Sequence, residues 1–286
     1  MVAAGIISIQ SHVAYGHVGN CAAVFPLQRL GFEVWPVPTV IFSNHTGYGA
    51  WRGHVLEVDQ IRALIDGLDE RGALSKCGAL LSGYLGDATL GAVVLETLER
   101  IRQHHPDAIY ACDPVMGDQN RGLFVKPDIP HFFKGKAIIA ADIITPNHFE
   151  LNFLAGTEIK TLAEALEATA MVRALGPRIV VGTSLMLDET KPELAVIADA
   201  EEGSWIVTTP DIPIELNGTG DAFTALFLAF YLREEQAVPR ALESAASAMY
   251  ALVKQTHESN SRELELIAAQ GELASPMYRF EARQLR

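Results

Sequence analysis

The chemically sharpest stretch of the chain is Asn217-Gly218-Thr219-Gly220-Asp221-Ala222-Phe223, which runs straight into the apolar segment Ala225-Leu226-Phe227-Leu228-Ala229-Phe230. Glycines at 218 and 220 let the backbone turn tightly where a helix begins. Unpaired N–H groups and the positive end of the helix dipole then converge on one point that can hold a phosphoryl group. Asp221, in the first turn, sets a carboxylate beside that point, where it can take the proton of an alcohol attacking phosphorus. A glycine turn with a capping aspartate explains the same short string equally simply. The surroundings must therefore decide. The chain has no GxxxxGK[ST] phosphate loop, and no strand followed by GxGxxG with an acidic residue about 20 positions on, which removes the GTPase-like and dinucleotide-binding readings.

The elements that would position these groups alternate. Gly5-Ile6-Ile7-Ser8-Ile9 is a short apolar run ending in Gln10-Ser11-His12, and Val34 to Phe42 ends likewise in Ser43-Asn44-His45-Thr46-Gly47. Both read as buried strands that deliver polar groups at their C-terminal ends, the edge where open parallel sheets bind ligands. Asp59 is placed as the cap of a helix carrying Ile61, Leu64, Ile65 and Leu68. Ala79-Leu80-Leu81 leads into Ser82-Gly83-Tyr84, a helical pattern follows from Leu90 to Ile101, and Ile109 to Cys112 ends at Asp113-Pro114. The second half repeats the order: Asp142-Ile143-Ile144 into Thr145-Pro146-Asn147, with Pro146 in the first turn of a helix, then a helix through Leu162 and Val172 closed by Gly176-Pro177. Arg178 to Val181 ends in Gly182-Thr183-Ser184, Leu194–Ile197 and Trp205–Val207 form an antiparallel hairpin, and two helices close the chain, one from Asp221 to about Leu232 and one after Pro239. Pro26 should kink or end the first helix. Alternation of this kind implies a three-layer α/β fold, a mostly parallel sheet with helices on both faces and an antiparallel edge late in the chain, as one domain over 1–286.

Composition narrows the partners. The 286 residues are 49% apolar and carry a formal charge of −13 with no cluster of Lys or Arg, which gives no electrostatic footprint for nucleic acid or an anionic membrane. A small molecule is the better partner. Cys21, Cys77 and Cys112 lie far apart without finger spacing, and read as reduced thiols of a cytoplasmic protein. MVAAGIISIQ lacks the basic start, long apolar stretch and cleavage site of a leader, and no apolar run reaches spanning length. His12, His17 and His45 lack metal-ligand spacing, and His104-His105 before Pro106 end a solvated helix, so zinc is rejected.

Glycine, glycine and aspartate at a late helix start resemble the signature of the ribokinase-like superfamily, whose members phosphorylate primary alcohols. Within it, Ser8-Ile9-Gln10-Ser11-His12-Val13 with Gly16-His17-Val18-Gly19-Asn20, and Phe42-Ser43-Asn44-His45-Thr46-Gly47-Tyr48, look specifically like the pyridoxal kinases. Ser82-Gly83-Tyr84, Cys112-Asp113-Pro114-Val115-Met116-Gly117-Asp118, Ile144-Thr145-Pro146-Asn147 with Glu150, and Thr183-Ser184 continue the match in order over nearly the whole chain. The resemblance implies that Ser11, Val18, His45, Thr46, Gly47 and Tyr84 surround the pyridine ring, with Asp221 beside the reacting hydroxymethyl group. It puts Asp113 and Glu150 at a Mg2+ and its water shell, and Thr145, Asn147, Thr183 and Ser184 along the ATP phosphates. Gly218, Thr219 and Gly220 stabilise the transferred group, and a monovalent cation, K+ or Na+, has room nearby. Each assignment has a plainer counterpart: loop capping for Ser11 and Thr46, core packing for Tyr84, an exposed helix position for Glu150, a turn for Asp113. The pattern breaks at Gly182, where bacterial members carry a lysine before the matching threonine.

The resemblance implies a cytoplasmic, homodimeric pyridoxal kinase with ATP as co-substrate. Two rivals stand beside it: a hydroxymethylpyrimidine kinase of the same superfamily, disfavoured by His45-Thr46, and a pyridoxal carrier with little turnover, disfavoured by the intact Asp221 motif. The glycine-bounded Gly117-Asp118-Gln119-Asn120-Arg121-Gly122-Leu123 reads equally as a lid over ATP or as an ordinary surface loop.

Overall fold

The computed structural model describes residues 5–286; Met1 to Ala4, the start of the segment read as lacking a leader, lie outside the described residues. Strand β1 (Gly5–Tyr15) passes through α1 (Asn20–Arg29) into its parallel neighbour β2 (Val34–Asn44). Ile6, Ile7 and Ile9 of β1 are fully buried, the mark of a strand covered on both faces. A short antiparallel strand, β3 (Gly53–Val55), closes this edge, and α2 (Val58–Glu70) returns along the sheet with Ile61 and Ile65 buried one turn apart. β4 (Cys77–Ser82), α3 (Ala88–His104) and β5 (Ile109–Cys112) follow. A small hairpin of β6 (Gly117–Asp118) and β7 (Gly122–Leu123) stands off the main sheet. The short helices α4 (Ile129–Phe132) and α5 (Ile138–Ala140) lead to β8 (Ile143–Ile144), α6 (His148–Ala155), α7 (Leu162–Arg173) and β9 (Ile179–Leu185). Last come the meander of β10 (Leu194–Ala200) and β11 (Gly203–Thr209), helices α8 (Thr219–Arg233), α9 (Val238–Glu258) and α10 (Gln270–Ala274), and β12 (Arg283–Gln284).

The sheet order is β12-β11-β10-β9-β8-β5-β4-β1-β2-β3, with the strands from β9 to β2 parallel and antiparallel strands at both ends. The chain leaves β1 first toward β2 and then crosses to β4 on its other side. That reversal opens a crevice at the C-terminal ends of the strands. One apolar core packs α1, α8 and α9 against one sheet face, and a second packs α2, α3, α6 and α7 against the other. Helix α8 is apolar around nearly its whole circumference, and its residues from Ala222 to Tyr231 are all buried, so its N-terminus is held rigidly over the strand ends.

The alternation, both layers and the late antiparallel edge match the expectation; the second antiparallel edge, β3, carries too short a run to stand out. Four local readings change. The cap of α2 is Glu57, whose backbone N–H donates to Gln60 Oε1 at 2.9 Å, so Asp59 lies inside the first turn. The cap of α6 is Asn147, which leaves Pro146 outside the helix. Pro26 does not end α1, which continues to Arg29 because contacts with α8 hold the helix where its local bonding is weakest. Finally β1 does not stop near His12 but pairs with β2 as far as Tyr15, with a register shift between Gln10 and His12 that makes Ser11 the irregular position. Among the described residues no helix is long and apolar enough to cross a membrane.

Phe227, fully buried in the middle of α8 and stacked between Phe223 and Tyr231, is the anchor of that helix. Phe227→Ala should lower the unfolding free energy by about 3–5 kcal/mol in urea titrations. A loss below about 1 kcal/mol would show that α8 is not held by this packing.

Candidate active site

Gly218 caps α8 in the left-handed region at φ 85° without any side-chain cap, so the first N–H groups of the helix face open space. A Cβ on Gly218 would lie 1.9 Å from the carbonyl oxygen of His17, which makes glycine obligatory on both conformational and steric grounds. One residue inside the helix, Gly220 is open except toward Asp113, whose Oδ2 would sit 3.4 Å from an added Cβ. The end of β5 and the start of α8 therefore meet, as the sequence motifs require.

Three carboxylates gather there. Burial first, then the charges of Glu150 and Asp221, hold the Asp113 carboxyl well above the usual carboxylate range, against a hydrogen bond from Thr224. Glu150 is only 2% exposed, so the plain reading of it as a surface helix residue fails. Its Oε1 accepts from Met116 N at 2.8 Å and its Oε2 from Asn147 N at 3.0 Å, yet burial still pushes its pKa up to about 8. Burial likewise raises Asp221, and the N–H of Gly19 pulls the other way. A divalent ion suits this donor set, since hard carboxylate oxygens lie beside an anion site. Among the described residues no three His, Cys, Asp or Glu form a ready-made cage, so water and phosphate oxygens would have to complete its shell.

The residues expected along the phosphates line one cavity of about 410 Å³: Asp113, Thr145, Asn147, Glu150, Thr183, Ser184, Thr219, Gly220 and Asp221. Thr145 and Thr224 share a hydroxyl hydrogen bond of 2.7 Å that ties β8 to α8. Asn147 caps α6, donates from Nδ2 to the Gly117 carbonyl at 2.9 Å, and bridges to Thr183. Ser184 holds φ 52°, a left-handed conformation that a serine adopts at some cost, and such strain concentrates at functional positions. A second, more apolar cavity of about 220 Å³ adjoins the first, sharing Thr183, Ser184, Thr219 and Gly220 and walled by Pro210, Ile212, Phe223, Met249 and Tyr250. The segment after β11 carries no mark of a site in the sequence, and the α9 face of Ala246, Met249, Tyr250 and Val253 reads there only as the apolar side of a helix. Apolar residues without polar punctuation look like core, and only the fold turns them into a wall.

The expected ring-binding group lies across Asp221. Gly19 makes the junction: its N–H is directed at Asp221, and a Cβ on it would collide with Ser11 Oγ at 2.2 Å. Ser11 and Val18 are buried, and Tyr84 packs with Val18 and Val40, its hydroxyl pKa raised by burial. His45 caps the short turn Thr46–Tyr48, its Nδ1 accepting from Gly47 N at 3.1 Å, and burial together with the charge of Arg121 lowers its pKa. Gly47 comes within reach of Asn217, while Thr46 itself is exposed. Ser11, Val18, His45, Thr46, Gly47 and Tyr84 do not line the 410 Å³ cavity, whereas their neighbours Arg121, Asn217 and Asp221 do, so the two groups adjoin along those three residues. Glu263, far along the chain, accepts from His17 N at 2.8 Å and from the Tyr48 hydroxyl at 2.6 Å, pushing that phenol up to about 12. Nothing in its sequence neighbourhood announces this brace.

The raised Glu150 pKa carries a testable linkage. A carboxyl whose pKa climbs from 4.5 unfolded to about 8 folded binds more protons in the native state, so folding stability falls as pH rises through that window. Glu150→Gln is neutral throughout, and its ligand-free thermal stability relative to the parent should improve between pH 5 and 8. A stability difference independent of pH would contradict the assignment.

Comparison with known proteins places this geometry among relatives. A family model described as phosphomethylpyrimidine kinase matches residues 49–265. The chain is 51% identical over 98% of its length to the pyridoxal kinase PdxY of Rubrobacter xylanophilus, covering 97% of that protein. It is also 51% identical to the pyridoxal kinase PdxY of Deinococcus radiodurans, over 98% of the chain and 96% of that protein. The structure of pyridoxal kinase from Leishmania donovani in complex with ADP and ginkgotoxin superposes with a TM-score of 0.92 at 32% identity, over 99% of each chain.

Proposed function

Because the chain belongs to the pyridoxal kinase family, of the ribokinase-like superfamily, we propose that it transfers the γ-phosphoryl group of ATP to the 5′-hydroxymethyl group of pyridoxal, giving pyridoxal 5′-phosphate and ADP. The observation that carries this reading is the convergence of Asp221, Asp113 and the open N–H groups of α8 at the junction of two half-sites. The nucleotide base fits the apolar cavity under Pro210 and Tyr250, which points the phosphates toward Gly218, Thr219 and Gly220. Ser11, His45, Thr46, Gly47, Val18 and Tyr84 receive the ring. The alcohol oxygen then bonds to the γ-phosphorus, its proton passes to Asp221, and the bond to the bridging oxygen breaks as ADP leaves. A raised carboxyl pKa suits Asp221 to that task, since a base works best when its pKa approaches the working pH.

Asp113 and Glu150 would hold Mg2+ directly or through water, and the ion would supply charge neutralisation at the phosphate oxygens. Thr145, Asn147, Thr183 and Ser184 line the triphosphate, with a K+ or Na+ ion beside them. The enzyme is read as one kinase domain over residues 1–286, working in the cytoplasm as a homodimer, with small molecules rather than nucleic acid or membrane as partners. The net charge of −13 and the family support that reading.

The match of residues 49–265 to a phosphomethylpyrimidine kinase model favours a second reading, a pyrimidine alcohol as acceptor. An ATP-dependent assay with pyridoxal, pyridoxine, pyridoxamine and hydroxymethylpyrimidine, with products identified, separates the two. Pyridoxal 5′-phosphate formed one-for-one with ADP is the expected result, and turnover confined to the pyrimidine would overturn it. Glu150→Gln should raise the Mg2+ or ATP requirement more than the pyridoxal requirement; equal effects on both would remove Glu150 from the nucleotide side.

A further inference from the structure

The cavity that holds Asp113, Glu150 and Asp221 is acidic, yet on the reading above it must accept a polyanion. Among the described residues that line it, Arg121 is the only lysine or arginine, and the adjoining apolar cavity contributes none. His148 also lines it, but its two ring nitrogens are engaged by Met186 N at 3.2 Å and the Ile159 carbonyl at 2.9 Å. Gly182 offers no substitute, because a side chain begun there would run into Leu151 and Leu185 at 3.1 and 3.3 Å.

Arg121 sits at the tip of the β6–β7 hairpin. Its Nε donates to Asp118 Oδ2 at 2.7 Å, and its guanidinium lies 4.6 Å from the centre of the Phe124 ring. The two side chains are 44% and 31% exposed, so the ion pair itself contributes little to stability, while Asp118 Oδ1 shapes the turn by accepting from Asn120 N at 3.1 Å and Arg121 N at 2.8 Å, bonds that do not need the guanidinium. The base of the hairpin is fixed, since Asn147 Nδ2 binds the Gly117 carbonyl and Glu150 binds Met116 N, while Gln119, Asn120 and Arg121 at the tip are exposed. The charge of Arg121 also reaches His45, on the other half-site. Arg121 lines the same cavity as Asp113, Gly220 and Asp221, on the side from which its charge reaches the ring-binding half.

We infer that Arg121 exchanges Asp118 for the γ-phosphoryl group of the bound nucleotide and supplies the positive charge that the transfer meets. This rests on the kinase reading. As the alcohol oxygen bonds to phosphorus, its proton going to Asp221 and the bridging oxygen departing with ADP, negative charge is spread over three equatorial oxygens. A planar guanidinium can grip two of them at once. The half-buried Asp118 serves as its resting partner, and the anchored hairpin base limits how far the tip must travel.

Steady-state kinetics of the full chain, varying ATP and pyridoxal separately, test this with Arg121→Gln, Arg121→Ala and Asp118→Asn, each checked by thermal unfolding. Arg121→Gln should lower kcat by about 10²-fold or more with the pyridoxal KM little changed, the scale of losing one transition-state donor. Added guanidinium ion should restore part of the turnover of Arg121→Ala and none to the parent. Asp118→Asn should keep kcat within about threefold of the parent, because it frees Arg121 rather than removing it. A folded Arg121→Gln with parental kcat would overturn the inference, as would an Asp118→Asn variant that falls equally far, since Arg121 would then serve only to shape the hairpin. A parent that makes no pyridoxal 5′-phosphate would overturn the kinase reading itself, an outcome distinct from an active parent indifferent to Arg121.

Discussion

The constraint on which the site depends is the crowding of carboxylates at the N-terminus of α8. Asp113 and Glu150 are buried and Asp221 is half-buried beside the same cavity, and burial, with the charges of Glu150 and Asp221 acting on Asp113, raises all three. Left alone such a cluster destabilises a fold, and the surrounding structure is arranged to offset it. Glu150 receives the N–H groups of Met116 and Asn147, and Asp221 faces the N–H of Gly19. The residual strain is electrostatic, and on the proposed reading a cation arriving with the nucleotide would relieve it. On this account affinity for the charged substrate and the cost of the empty arrangement are one quantity.

Holding these groups in place is the work of the two cores. The strands from β2 to β9 end at one edge, and α8, buried from Ala222 to Tyr231, cannot shift its N-terminus without disturbing the packing on that sheet face. The register shift between Gln10 and His12 sets the buried Ser11 opposite two residues of β2, Thr39 and Val40, and Gly19 lets α1 start against it. Rigid parts thus carry the reacting geometry, whereas the tip of the β6–β7 hairpin is held only by surface bonds, such as that from Asn120 Nδ2 to Glu215 Oε1 at 3.2 Å.

Much of this was legible in the sequence because the signals are local. The apolar run that stops at Asp113 marks the end of β5, those that stop at Ser11 and Thr183 mark strands that run a few residues further, to Tyr15 and Leu185, and the Gly218-Thr219-Gly220-Asp221 string marks a helix start. The exact caps were less legible, since Glu57 and Asp59, or Pro146 and Asn147, are near neighbours that both suit a first turn. What could not be read is what depends on distant partners: Pro26 survives inside α1 because of α8, and the apolar wall under Tyr250 exists because α9 meets the β11 loop. Glu263 braces His17 and Tyr48 from more than two hundred residues away, and no pattern within its own segment encodes that.

The central claim is that Asp221 takes the proton of the attacking alcohol rather than merely starting a helix. Asp221→Asn keeps the shape and the capping ability and removes the proton acceptor, so turnover, pyridoxal affinity and thermal stability measured together on this one variant bear on it most directly. The account predicts a stable protein that binds pyridoxal nearly as the parent does and turns over about 10²–10⁴-fold more slowly. A stable, binding-competent variant with near-parental turnover would contradict it.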